Sequence, residues 1–164
     1  MANSYTQLYV QLVFAVKHRQ SLITPEIREK IEQYICGIVK NIHCRPISIY
    51  CNPDHTHLLL SMKPTVCVAD AVRDIKSFSS RFINDKKMVD GHFEWQTGYG
   101  AFTYGQSQIE NVKRYIARQP EHHKERSFKT EYMALLEAFQ IDFADEYLFE
   151  WIDERKAKAI KMQQ

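Results

Sequence analysis

Two short stretches of the chain carry side chains capable of chemistry at spacings that let them act together. His55-Thr56-His57 opens a run of apolar residues. Successive side chains in a strand alternate faces, so both imidazoles project to one side and can hold one metal ion, while Thr56 points to the other. Two surface or hydrogen-bonded histidines satisfy the same pattern, and the triplet by itself leaves both readings open. The second stretch runs from Ile109 to His123. Ile109, Val112 and Ile116 form an apolar stripe at helical spacing, and Asn111, Tyr115, Gln119 and His122 fall on an adjacent polar face. Tyr115 and Gln119 are neighbours one turn apart. A tyrosine so placed is either a half-buried residue at the edge of a core helix or a phenol presented to a site.

Several elements must position these residues. Tyr5, Leu8, Val10, Leu12, Phe14 and Val16 include an alternating apolar set that predicts a strand from Tyr5 to Lys17. Thr24 as N-cap, Pro25 as first helical residue, and Ile27, Ile31, Tyr34, Ile35 and Ile38 at spacings of three and four predict a helix over 25–41. Two strands, Ile47 to Cys51 and His55 to Lys63, are separated by the turn residues Asn52-Pro53-Asp54. Asp54 is expected to fix that turn, with the orientation of a neighbouring histidine as its alternative role. Val68, Val72, Ile75, Phe78 and Phe82 predict a helix over 68–84, and Trp95 to Tyr104 reads as a bent, glycine-interrupted strand. A third helix is predicted over 109–123, and Phe128, Tyr132, Leu135, Leu136 and Phe139 predict a short last one over 128–140. The order β, α, β, β, α, β predicts an α+β, ferredoxin-like (split βαβ) antiparallel sheet with helices on one face and a C-terminal helical extension.

A chain of 164 residues supports one domain. The expected core covers about 5–127 and the acidic helical extension about 128–154. With 45% hydrophobic and 26% charged residues, the composition is that of a globular protein and excludes general disorder. No apolar run approaches the roughly 18 residues of a membrane span, and Met1 to Ser4 lack the features of a secretory leader, so a cytoplasmic protein with no membrane partner is expected. Cys36, Cys44, Cys51 and Cys67 form no C-x-x-C pair and read as reduced core thiols. The net charge of +2 hides an asymmetry. Residues 1–130 hold 18 Lys and Arg against 12 Asp and Glu, whereas residues 131–154 hold eight acids and no Lys or Arg. A basic body suits a polyanionic ligand, and the acidic segment is expected to pack away from it.

His55-Thr56-His57 behind Pro53-Asp54, followed by a helix with Tyr115 and Gln119, resembles the single-tyrosine HUH transposases of the insertion-sequence 200/605 group. The likeness extends to Phe14-Ala15-Val16-Lys17-His18-Arg19, to Ile75-Lys76, to Trp95-Gln96-Thr97-Gly98-Tyr99-Gly100, and to Tyr115 through His123. It covers roughly residues 5 to 150. The resemblance implies that His55, His57 and Gln119 are metal ligands, that Tyr115 is the nucleophile, and that the protein is a homodimer. Thr56 departs from the pattern, which has a bulky apolar residue there; its side chain faces away from the histidines, so the departure bears on packing.

The implied chemistry is physically coherent. A phenol with a pKa near 10 is only about 0.1% ionised at pH 7, and ionising it costs roughly 4 kcal/mol. A divalent ion, Mg²⁺ or Mn²⁺, offsets that cost by binding and polarising a scissile phosphate. Attack by Tyr115 would leave a phosphotyrosine and a free 3′-hydroxyl, conserving the bond energy for rejoining. The expected function is a nucleoid-associated DNA transposase acting on single-stranded, hairpin-bearing ends. Lys17, His18 and Arg19, with Arg73, Lys76 and Arg81, are the expected DNA contacts. Phe93, Trp95, Tyr99, Phe102 and Tyr104 are core fillers for the most part, with base stacking as the alternative. His122 and His123 are assigned structural or phosphate contacts rather than metal ligation. The rival readings are a domesticated relative acting on palindromic repeats, a non-catalytic single-stranded DNA-binding module, and a small-molecule metal hydrolase.

Overall fold

The run Tyr9–Ala15 alternates its side chains to two sides and forms an inner strand, β1. In the computed structural model, which describes residues 3–144 and Leu148, it is followed by α1 (Pro25–Asn41), β2 (Arg45–Cys51), β3 (His55–Ser61), α2 (Val68–Asp85) and β4 (Gly100–Tyr104). The strands make one antiparallel sheet in the order β2-β3-β1-β4, the ferredoxin-like arrangement expected from the order of elements. The remainder of the expected acidic extension, 145–154 apart from Leu148, lies outside the described residues.

One face of the sheet carries the main core. Val10, Leu12, Phe14, Leu58 and Leu60 point to α1 and α2, which bring Ile31, Ile35, Ile38, Val72, Ile75 and Ile83. α1 keeps the expected bounds because Pro25 fits the first turn of a helix and Thr24 is extended before it. Cys44 and Cys51 are buried, while Cys67, expected in the core, is exposed just before α2 because its position is the turn into the helix.

The second face is covered as well. The expected single helix over 109–123 is two helices, α3 (Ile109–Ala117) and α4 (Gln119–Glu125), meeting at Arg118. Pro120 has no backbone N–H and would crowd the preceding turn, so a continuous helix cannot pass through it. Ile109, Val112 and Ile116 of α3 pack on Leu59. The C-terminal extension contributes α5 (Phe128–Ala138), which lays Phe128, Tyr132 and Leu136 on Val13, Ala15 and Phe102. Among the described residues no helix is long and apolar enough to cross a membrane.

Candidate metal and tyrosine site

The register of β1 against β3 pairs Ala15 with His55 and Val13 with His57, so both imidazoles emerge on the second face, between α3, α4 and α5. Thr56 points to the main core and is fully buried. The expected alternation therefore holds, and it places two buried histidines where three helices meet.

Each imidazole is held through its Nδ1. His55 Nδ1 is 2.7 Å from Asp54 Oδ1, and Arg19 donates to Asp54 Oδ2 at 2.9 Å and 3.2 Å. The orienting role, the alternative to a turn role for Asp54, is the one observed. Burial works against the Asp54 charge, but the hydrogen bond and charge of His55, followed by Arg19, outweigh it and bring the carboxyl to about 2. With Nδ1–H donated to Asp54, the Nε2 of neutral His55 is an acceptor facing the site, where Asn52 Nδ2 lies 3.2 Å from it. Phe128 stacks on the His55 ring at 3.8 Å. His57 Nδ1 meets Gln11 Nε2 at 2.9 Å, and Gln11 Oε1 in turn accepts from the Tyr104 hydroxyl at 2.6 Å.

A carboxylate stands between the two Nε2 atoms. Glu131 of α5, 2% exposed, lies 2.6 Å from His57 Nε2 and 3.6 Å from His55 Nε2. Burial alone would raise its pKa, but hydrogen bonds from His123, His55 and His57 dominate and keep it ionised far below the usual carboxylate range. His57 moves the other way: burial is the larger effect and lowers its pKa despite Glu131. Burial also opposes protonation of His55, yet Asp54 and Glu131 together raise its pKa.

Tyr115 and Gln119 both reach this cluster. The Tyr115 ring lies edge-on to His57 at 5.9 Å and stacks on His122 at 4.7 Å. Burial, then the charge of Glu131 and a hydrogen bond to it, hold the phenol well above its ordinary value, with Gln119 and Arg126 pulling it down. Gln119 is fully buried; its Oε1 accepts from Asn52 Nδ2 at 3.0 Å and from His123 Nε2 at 2.9 Å. Its Nε2 donates to Glu131 Oε2 at 3.3 Å.

Two members of the cluster were missed in the sequence. His123, assigned a structural or phosphate role, enters it, and Glu131, the first residue of a segment expected to avoid the site, lies at its centre. The signal for Glu131 is an acid on the apolar face of a helix, in step with Phe128 and Leu135 at spacings of three and four. Ligand atoms of His55, His57, His123 and Glu131 all lie within 4.8 Å of one another. Donors held roughly 2.0–2.4 Å from one ion are separated by up to about 4.8 Å, so the residues present fit a divalent cation.

The expected DNA contacts are dispersed. Lys17 is exposed and paired with Glu94 at 3.0 Å. His18 and Arg19 have left-handed backbone, φ 58° and 51°, which turns Arg19 back onto Asp54 instead of outward. Arg73 is exposed and paired with Asp70 and Asp74, and Arg81 lies over the Phe78 ring. Lys76 is half-buried and donates to the Gln96 and Gly98 carbonyls at 2.7 Å and 2.6 Å. Phe93, Trp95 and Phe102 are core residues, and Tyr99 is exposed.

A ferredoxin-like sheet that presents an H-x-H pair to a tyrosine on a neighbouring helix defines the single-tyrosine HUH class. The chain belongs to the IS200-like transposase family, whose model matches residues 4–119, and membership places it among DNA-cleaving enzymes. The ISDra2 transposase TnpA of Deinococcus radiodurans is 27% identical over 124 residues, covering 73% of this chain and 87% of that relative. Two solved structures share the fold. A protein of Deinococcus radiodurans R1 described as a transposase has a TM-score of 0.58 at 21% identity, covering 73% of this chain and 95% of its own. A REP-associated tyrosine transposase bound to a REP hairpin has a TM-score of 0.56 at 13% identity, covering 75% and 73% respectively.

Proposed function

We propose that this transposase cleaves and rejoins single-stranded, hairpin-bearing DNA ends through Tyr115. The observation that carries the reading is the meeting of Tyr115 with His55 and His57 in one buried cluster on the second face of the sheet. A Mg²⁺ or Mn²⁺ ion held by His55 and His57 beside Gln119 would bind the scissile phosphate and withdraw charge from it.

Tyr115 Oη forms the new bond to phosphorus, and the bond from phosphorus to the 3′-oxygen breaks. The phenol proton passes to water, the departing 3′-oxygen takes one up from water, and a 5′-phosphotyrosine remains. Asp54 and Gln11 hold the two imidazoles in orientation throughout, each through Nδ1. Attack of a 3′-hydroxyl on the phosphotyrosine reverses the step and joins a second end without ATP.

Hairpin DNA as partner is supported by the REP hairpin bound to the structural neighbour, which accommodates both a mobile element and a domesticated, palindrome-associated role. Lys17, Arg73 and Arg81 offer exposed cations to the strand, and Arg19 acts through Asp54. The homodimer remains part of the proposal, although Tyr115 meets His57 within one chain and so needs no partner helix to complete the set. The protein is taken to act as one domain, in the cytoplasm, at the nucleoid.

The test incubates the protein and Mn²⁺ with 5′- and 3′-labelled single strands bearing hairpins from the flanks of its own gene. A protein-linked fragment carrying the 5′-phosphate end, absent with Tyr115→Phe while hairpin binding persists, is the expected result. Tight binding without any adduct in the unmodified protein would favour a binding module and overturn the enzymatic reading.

A further inference from the structure

The family resemblance assigns the third metal ligand to Gln119, and the hydrogen bonds around Gln119 argue otherwise. Its Oε1 accepts from Asn52 and from His123, which engages both lone pairs of a carboxamide oxygen. Its Nε2, which is a donor and no ligand, points at Glu131 Oε2. The group that stands against both Nε2 atoms of the histidine pair is the Glu131 carboxylate, at 2.6 Å and 3.6 Å. Carboxylate oxygen is a hard, anionic donor of the kind that Mg²⁺ and Mn²⁺ prefer over a neutral amide.

We infer that Glu131 is the third protein ligand of the ion, that Gln119 positions its carboxylate, and that α5 is thereby clamped to the sheet by the metal. The inference rests on the reading that His55 and His57 hold a divalent ion. It goes beyond the family pattern, because the matched segment ends at Gln119 and α5 begins at Phe128.

The rest of α5 is built for that task. Ser127 caps the helix by accepting from the Thr130 amide, Phe128 stacks on His55, and Tyr132 packs over Gly100. Phe128, Glu131 and Tyr132 thus present one helical face to the two histidines and the sheet beneath them. The hydrogen bonds that hold this buried carboxylate, from His57 to one oxygen and from Gln119 to the other, keep its oxygens beside the two Nε2 atoms, so an ion entering there would meet all three groups already in place. Loading the ion and docking α5 are then linked: whatever holds one favours the other.

The experiment uses the full chain and Mn²⁺, with free ion read by its electron paramagnetic resonance signal and α5 read by amide hydrogen exchange over 128–138. Glu131→Gln keeps the size of the side chain, and melting curves in EDTA verify that each variant is folded. Expected are Mn²⁺ affinity at least about 10-fold weaker in Glu131→Gln, a smaller loss in Gln119→Ala, and none left in His57→Ala. Mn²⁺ should also slow exchange across α5 in the unmodified protein and leave it unchanged in Glu131→Gln. Wild-type affinity in a folded Glu131→Gln, with the loss falling on Gln119→Ala, would overturn this inference and leave the metal reading standing. Failure of the unmodified protein to bind Mn²⁺ would overturn both.

Discussion

Asp54 Oδ1 lies 2.7 Å from His55 Nδ1, while Asp54 Oδ2 accepts from Arg19, so one carboxylate joins the turn after β1 to the first residue of β3. Its pKa of about 2, against a usual 3.8, has a defined consequence for stability. A carboxyl with a depressed folded pKa stabilises the fold fully above about pH 4 and loses that contribution as pH falls toward 2. The difference corresponds to about 2 kcal/mol. Asp54→Asn should therefore unfold about 2 kcal/mol more easily at pH 7 and show a flatter loss of stability between pH 4 and 2. Urea unfolding at a series of pH values reads both; an unchanged acid limb would remove Asp54 from the account. The same variant should bind Mn²⁺ about 10-fold or more weakly, because Nδ1 of His55 loses the group that fixes its tautomer.

Lys76 ties α2 to the loop before β4 by donating to the Gln96 and Gly98 carbonyls. Burial lowers its pKa from 10.5 to about 8. Its charge is therefore complete below about pH 7 and fades as pH rises through 8, well before an ordinary lysine. If that charge attracts the strand, single-strand affinity should fall several-fold between pH 7 and 9 at fixed ionic strength. Lys76→Gln should bind more weakly at pH 7 and show no such fall. Fluorescence anisotropy with a labelled oligonucleotide measures it, and parallel pH profiles for the two proteins would confine Lys76 to holding the loop.

Local signals carried α1 because Thr24, Pro25 and the isoleucine spacing all lie within one helix. They carried the orientation of His55 and His57 because strand alternation is a property of the backbone. The cover on the second face was harder to see, although Leu58, Leu59 and Leu60 are all fully buried and three consecutive buried leucines require packing on both sides of a strand. The break at Arg118 was signalled by Pro120, against a polar spacing, Tyr115, Gln119 and His122, that ran on through it. Glu131 is 74 residues from His57, and no local pattern encodes a pairing over that distance. The resemblance could not supply it either, since the matched family segment stops at residue 119.

Thr56 stands where related motifs have a bulky apolar residue, and its Oγ1 is buried with nothing stronger than the weakly bonding Cys51 thiol as partner among the described residues. It lies in the main core, opposite Cys51 and on the far side of the strand from the site. A buried hydroxyl left unpaired costs about 1–3 kcal/mol, and valine has nearly the same shape. Thr56→Val should raise stability by about 1 kcal/mol, seen as a higher urea midpoint at constant slope. Cleavage should stay within about two-fold, because neither imidazole changes its neighbours. A lower midpoint would mean that the hydroxyl has a partner in solution.

Gly100 lets α5 lie flat on the sheet. A Cβ there would come within 2.9 Å of the Tyr132 ring and hydroxyl and 3.0 Å of Phe102, closer than packed atoms tolerate. Tyr132 is buried and follows Glu131 directly, so it cannot swing away without drawing α5 with it. Gly100→Ala should thus act on the second face alone. Overpacking of this kind costs about 1–3 kcal/mol. Hydrogen exchange should quicken over 128–138, while the amides of α1 and α2 keep their protection relative to global unfolding, because their core lies on the opposite face. Faster exchange in α1 and α2 to the same degree would show that the two faces unfold as one unit, and an unchanged α5 would show that Tyr132 finds room elsewhere.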